Sequence, residues 1–178
     1  MHRKILKFWF EEIDQSQWWV KDEAFDKMLT DRFSEIHASA TRCELYEWRV
    51  TAPGRLAEII VLDQFSRNMF RDTSLAFSND PLALALSQEA VLSGADKLLG
   101  PQERSFLYMP FMHSESLKIH EVATDLFRQN GVQSSLDFEL KHKSIIERFG
   151  RYPHRNSILG RASTAEEIEF LKLPGSEF

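Results

Sequence analysis

The chain has little of what a disulfide-stapled, sheet-rich or membrane-spanning protein requires. Its one cysteine, Cys43, excludes an internal disulfide, and small secreted domains with modest cores usually carry several bridges. A reducing, cytoplasmic setting is therefore expected. Seven Gly and six Pro among 178 residues fall below average usage and stand mostly at the edges of periodic segments, which favours long helices over a sheet with many turns. No stretch alternates apolar and polar residues convincingly, so no strand is predicted. The longest apolar run, residues 106–112, is far short of the ~20 residues of a membrane helix. The apolar stretch behind Arg3, Lys4 and Lys7 stops at Glu11 and Glu12, too soon for a signal-peptide core. Neither insertion nor export is expected. Positive charge is also in deficit: the formal net charge of -5 argues against nucleic acid, whose binding is dominated by phosphate neutralisation. Paired cysteines, histidines spaced i and i+4 with a glutamate, a Gly-rich phosphate loop, a dinucleotide fingerprint and a nucleophile elbow are all missing. No metal or cofactor is expected.

What is present fits one globular unit over residues 1–178. Hydrophobic residues make up 43% and charged residues 28%, and a chain of this length buries roughly two thirds of the surface that its unfolded form exposes. Apolar stripes at helical spacing predict helices over residues 4–10 and, behind an Asp22 cap, 23–38. Residues 43–50 read as a further short helix. Thr51 and Pro53 open a helix that continues through Ile59, Ile60, Leu62 and Phe65 toward Met69, apolar almost all round at first, as a central buried helix would be. Asp80 as cap and Pro81 at the first helical position start another, ended by Gly94. A helix from Gly100 and Pro101 is expected to break at Pro110; the next runs from Ser114 or Ser116 to Asn130. Ser134 and Ser135 precede a helix to Phe149, and Ser163 with Glu166 has capping-box spacing for a last one to about Leu171. No 34-residue period is evident. The expected fold is all-α, an array or irregular bundle of antiparallel neighbours.

Three sets of polar residues stand out against this apolar background. Asp63, Gln64, Arg67, Asn68 and Arg71 share one stripe of the central helix, and Asp63 and Arg67, at i and i+4, are placed to pair. Their stripe suits either a half-exposed face or a buried polar network. His113, with Glu115, follows directly on the apolar run, where it could serve as acid, base or donor, or simply cap a helix. Residues 148–161 carry Arg148, Arg151, Arg155, Arg161 and His154 and no Asp or Glu; with Gly150 and Pro153 bending the chain, several guanidinium forks could be aimed at one anion, or each could meet an acid on a neighbouring helix. His142 shares a stripe with Phe138, Ile145 and Phe149 and reads as a satisfied core histidine; Cys43 reads as packing.

Four strings carry a resemblance: Val61-Leu62-Asp63-Gln64-Phe65-Ser66-Arg67-Asn68-Met69-Phe70-Arg71, Asn79-Asp80-Pro81-Leu82-Ala83-Leu84-Ala85, Tyr108-Met109-Pro110-Phe111-Met112-His113-Ser114-Glu115, and Arg148-Phe149-Gly150-Arg151-Tyr152-Pro153-His154-Arg155-Asn156. Together they resemble the bacterial domain of unknown function 924 family over nearly the whole chain. The resemblance implies a tetratricopeptide-like helical fold, a class that often binds peptides or other partners in a groove, and it implies no established activity. Ser66 stands where the family usually has proline, which implies a straighter helix there; Met112 stands in place of a frequent acidic residue, which removes a carboxylate beside His113.

The functional expectation is that Asp63, Arg67, Asn68, Arg71, His113, Glu115, Arg151, His154 and Arg155 line one groove holding a small anionic ligand or a carboxylate-bearing peptide end. Two alternatives stay open: a protein-interaction scaffold whose motif residues only hold helices together, and a hydrolase or transferase with His113 as general base.

Overall fold

A computed structural model describes residues 1–176. Its elements are α1 (His2–Lys7), α2 (Glu23–Thr41), α3 (Ala52–Ile60), α4 (Ser66–Met69), α5 (Asp80–Leu92), α6 (Pro101–Met112), α7 (Leu117–Asn130), α8 (Gln133–Phe149) and α9 (Ala165–Leu171). No strand occurs among the described residues. Among the described residues no helix is long and apolar enough to cross a membrane.

The centre is α3. Thr51 caps it by accepting the Gly54 N–H, Pro53 sits in its first turn, and Leu56, Ala57, Ile59 and Ile60 are fully buried. Gly54 is required there: a Cβ would run into the carbonyl oxygen of Trp48. A helix apolar all round must be enclosed, and α3 packs on α1, α5 and α6. That is the packing of a bundle with one central rod. Downstream, α6, α7 and α8 pack against one another, and the turns between them are short.

Helical structure passes from α3 to α4 without a break, but through a π-helical turn, Val61–Phe65. Ser66, expected to leave a straighter helix, instead follows this turn. Its Oγ donates to the Leu62 carbonyl at 2.6 Å and pairs with His37 Nε2 at 2.8 Å. The wider turn adds a residue to the local register, and Val61, Leu62, Asp63, Gln64 and Phe65 are all buried.

Several expectations are corrected. Helix α6 does not break at Pro110 but runs on to Met112, because Phe111 and Met112 are buried in the core and their burial outweighs the one lost backbone bond. Residues 43–50 do not form an α-helix: Cys43 takes a left-handed conformation (φ 59°) that ends α2, and a 3-10 turn, Tyr46–Val50, follows. Cys43 is exposed and contributes no packing. The capping box of α9 is Thr164 with Glu167, one residue later than the spacing of Ser163 and Glu166 suggests, because Ser163 accepts from Asn156 Nδ2 instead. On α8, His142, Ile145 and Ile146 are buried, whereas Phe138 lies out on the surface and stacks on Trp19, ring centroids 6.3 Å apart.

Candidate functional site

The π-helical turn places Asp63, an ionisable residue only 1% exposed, against the end of α6. Its Oδ1 lies 2.7 Å from His113 Nδ1 and 3.0 Å from Arg67 Nη1, and its Oδ2 accepts from Gln64 Nε2 at 2.6 Å. Burial opposes the charge, but Arg67 and then His113 outweigh it and hold the Asp63 carboxyl well below the usual carboxylate range. His113 is moved the other way from most paired histidines: burial first, then Arg67, lower its pKa against the pull of Asp63. A neutral imidazole that faces a carboxylate through Nδ1 must carry its proton there. Nε2 is then the acceptor, and no described residue hydrogen-bonds to it.

Arg67 reaches past Asp63 to grip Asp80, at the start of α5, with two bonds of 2.9 and 3.0 Å. Arg155, on the 3-10 turn Pro153–Arg155, approaches the same carboxylate at 3.3 Å and donates to the His113 carbonyl at 3.1 Å. Two guanidiniums thus share one acid. Arg155 is 6% exposed, its charged carbon lies 4.5 Å from the Phe77 ring centroid and 4.6 Å from that of Tyr152, and its Nε has no partner among the described residues. Burial, and then Arg67, lower its pKa.

The last carbonyls of any helix lack intrahelical partners, and at the end of α6 the carbonyls of Met112 and of the two residues after it are met from three directions. Tyr152 Oη donates to Met112 O (2.5 Å), Arg155 to His113 O, and His120 Nε2 to Ser114 O (2.8 Å). His120 is itself held through Nδ1 by Glu139 at 2.8 Å, both side chains fully buried. The backbone that presents His113 is therefore fixed at three successive residues. Beside it opens a cavity of about 370 Å³ lined by Phe77, Asp80, Leu84, His113, Glu115 and Arg155, among others.

Of the residues singled out in the sequence, Asp63, Arg67, His113 and Arg155 meet around Asp80. Glu115 also lines the cavity, but its carboxylate is taken by Arg161 (2.6 and 2.9 Å) and by the Tyr152 N–H (2.7 Å), so it anchors the arginine segment. His154 lies next to Tyr152, ring centroids 5.6 Å apart, and burial pushes its pKa down to about 4. The structure does not bring in the other three. Asn68 on α4 and Arg71 in the turn after it both bind Asp26 of α2, at 2.8 Å and at 2.6 and 2.9 Å, because this end of α4 packs on that helix. Arg151 pairs with Glu167 of α9 at 2.6 and 2.8 Å. Sequence reasoning missed Asp80, read only as a cap, along with Phe77, Tyr152, His120 and Glu139. Asp80 and Tyr152 stand inside the strings that carry the family resemblance, and that was the one signal available for them. No group of three His, Cys, Asp or Glu residues among those described could hold a metal ion.

Comparison with known proteins agrees with the resemblance. Residues 5–175 match the family described as bacterial protein of unknown function (DUF924). The chain is similar to the solved structure of a protein of unknown function from Agrobacterium tumefaciens, with 40% identity, 96% of each chain covered and a TM-score of 0.91. No curated protein matches it. The chain therefore belongs to the bacterial family of unknown function DUF924.

Proposed function

We propose that this protein binds a small anion in the cavity beside His113, with Arg155 as the main charge partner and His113 Nε2 as a second polar contact. The observation that carries the reading is Arg155 itself: it is buried, shares its carboxylate with Arg67, and keeps a buried N–H without a partner. An acceptor on a ligand would give this guanidinium a further partner. With neutral His113, the charges of Arg67 and Arg155 balance those of Asp63 and Asp80, so an arriving anion favours protonation of His113. Binding then takes up a proton and strengthens as pH falls toward the ordinary histidine range. The alternative of a carboxylate-bearing peptide end fits the same contacts. A cytoplasmic location accords with the single, unpaired cysteine.

A thermal-shift series with carboxylates and inorganic phosphate tests the reading. An anion at 100 times its dissociation constant adds about 2.7 kcal/mol to stability, and Arg155→Lys, which loses the fork, should abolish the shift. If no anion raises the melting temperature, or if Arg155→Lys responds like the parent chain, the reading fails.

The Asp63–His113 pair also favours a second reading, proton transfer to or from a bound substrate. A neutral imidazole backed by a buried carboxylate, with Nε2 not engaged by a described residue, has the arrangement of a general base. His113→Gln should then bind the ligand with little loss while abolishing turnover.

A further inference from the structure

We infer that the ligand is an organic acid whose carboxylate is joined to a compact apolar body, an alkyl or aryl group. This rests on the anion-binding reading above and narrows it. At about 370 Å³ the cavity is small, near the low end of the roughly 300–1,000 Å³ of ligand sites. Its walls are mainly apolar: Phe77, Pro81, Leu84, Pro110 and Leu159. The polar groups form one contiguous cluster, since Arg155 bonds both the His113 carbonyl and Asp80.

Both carboxylates at the cavity are already engaged, Asp80 by Arg67 and Arg155, and Glu115 by Arg161 and the Tyr152 N–H. An ammonium ligand therefore finds no unpaired counter-charge there. With Arg67 and Arg155 balanced by Asp63 and Asp80, and His113 able to take up one proton, the cavity compensates one negative charge better than the two of a phosphate monoester. Opposite that head, burying an alkyl or aryl group against the apolar walls is the remaining source of affinity.

The test is calorimetric titration of the full chain with propanoate, 4-methylpentanoate, 3-phenylpropanoate, inorganic phosphate, 4-methylpentanamide and an acetylated tripeptide ending in leucine. Each buried methylene is worth roughly fourfold in affinity. The longer acids should therefore bind at least tenfold more tightly than propanoate, and the amide should not bind. Leu159→Ser, at the exposed rim, should cut the ratio of 4-methylpentanoate to propanoate affinity severalfold. Phosphate or propanoate binding as tightly as the longer acids would overturn this inference and leave the anion reading standing. Tighter binding of the tripeptide than of 4-methylpentanoate would overturn it in favour of a peptide end. If the amide binds as well as its acid, or if nothing binds, the anion reading itself falls.

Discussion

Asp63 sits in an apolar helix and remains charged because Arg67 and His113 reach it from two sides. Removing the charge without the shape, as Asp63→Asn does, strands Arg67 beside a neutral amide and replaces the acceptor-only carboxylate that fixes the His113 tautomer with a group that can also donate. Loss of one partner from a buried pair typically costs about 3–5 kcal/mol. Urea unfolding at pH 7 should show a loss of that order, and nitrogen NMR of His113 should show its proton no longer confined to Nδ1. An unchanged midpoint would mean that Asp63 carries no net charge in the folded protein. At this scale the sequence revealed only what local spacing can encode. Asp63 and Arg67 lie four residues apart and were readable as a pair. Asp63 and His113 are 50 apart and Arg71 and Asp26 are 45 apart, and no periodicity links such positions. The same blindness placed Arg71 in the site when its carboxylate waits on another helix.

Between elements, the end of α6 decides where His113 stands. Tyr152, fully buried, donates its hydroxyl to Met112 O, and that carbonyl belongs to the helix that Pro110 was expected to terminate. Tyr152→Phe leaves a buried acceptor with one partner fewer and should cost about 1–3 kcal/mol in urea unfolding. It should also weaken anion binding, because the turn bearing His113 loses one of its three ties. A variant with parent-like stability and affinity would show that the remaining two suffice. The helices themselves were legible because each buries a stripe or carries a cap or breaker: Asp22, Thr51, Gly94 and Gly131 all mark real ends. Pro110 misled because tertiary burial of Phe111 and Met112 overrides a local rule. The π-helical turn left no trace in the sequence, since Asp63 and Gln64 fit the polar stripe of an ordinary α-helix as well as they fit the wider turn.

On the scale of the whole molecule, burial lowers several histidines: His142 is pushed down to about 3 and His154 to about 4, and His37 and His113 are lowered as well. A histidine whose folded pKa lies below its unfolded value contributes fully above about pH 6.5, and that contribution is lost as pH falls, because the unfolded chain then binds the extra proton. Near pH 5, His142 and His154 alone account for about two protons, a slope of about 3 kcal/mol per pH unit. Glu139, which burial raises, works in the opposite direction above its ordinary range. Urea midpoints at pH 7, 6 and 5 should therefore fall steeply; flat midpoints would mean that these histidines are charged or solvated in the fold. The all-helical class was legible from composition and spacing. The convergence of α5, the end of α6 and the arginine segment on one cavity was not, because it depends on how helices cross, and that is set by long-range packing.

The central claim is that His113 is neutral, protonated on Nδ1 toward Asp63, and ready to take a second proton when an anion arrives. A pH titration of nitrogen-labelled histidine by NMR, with and without saturating 4-methylpentanoate, measures this directly. The account predicts the Nδ1–H form at pH 7, a pKa below 6.5 in the ligand-free protein, and a higher pKa with the acid bound. A charged His113 at pH 7 without ligand, a proton on Nε2, or a pKa unmoved by a bound acid would contradict it.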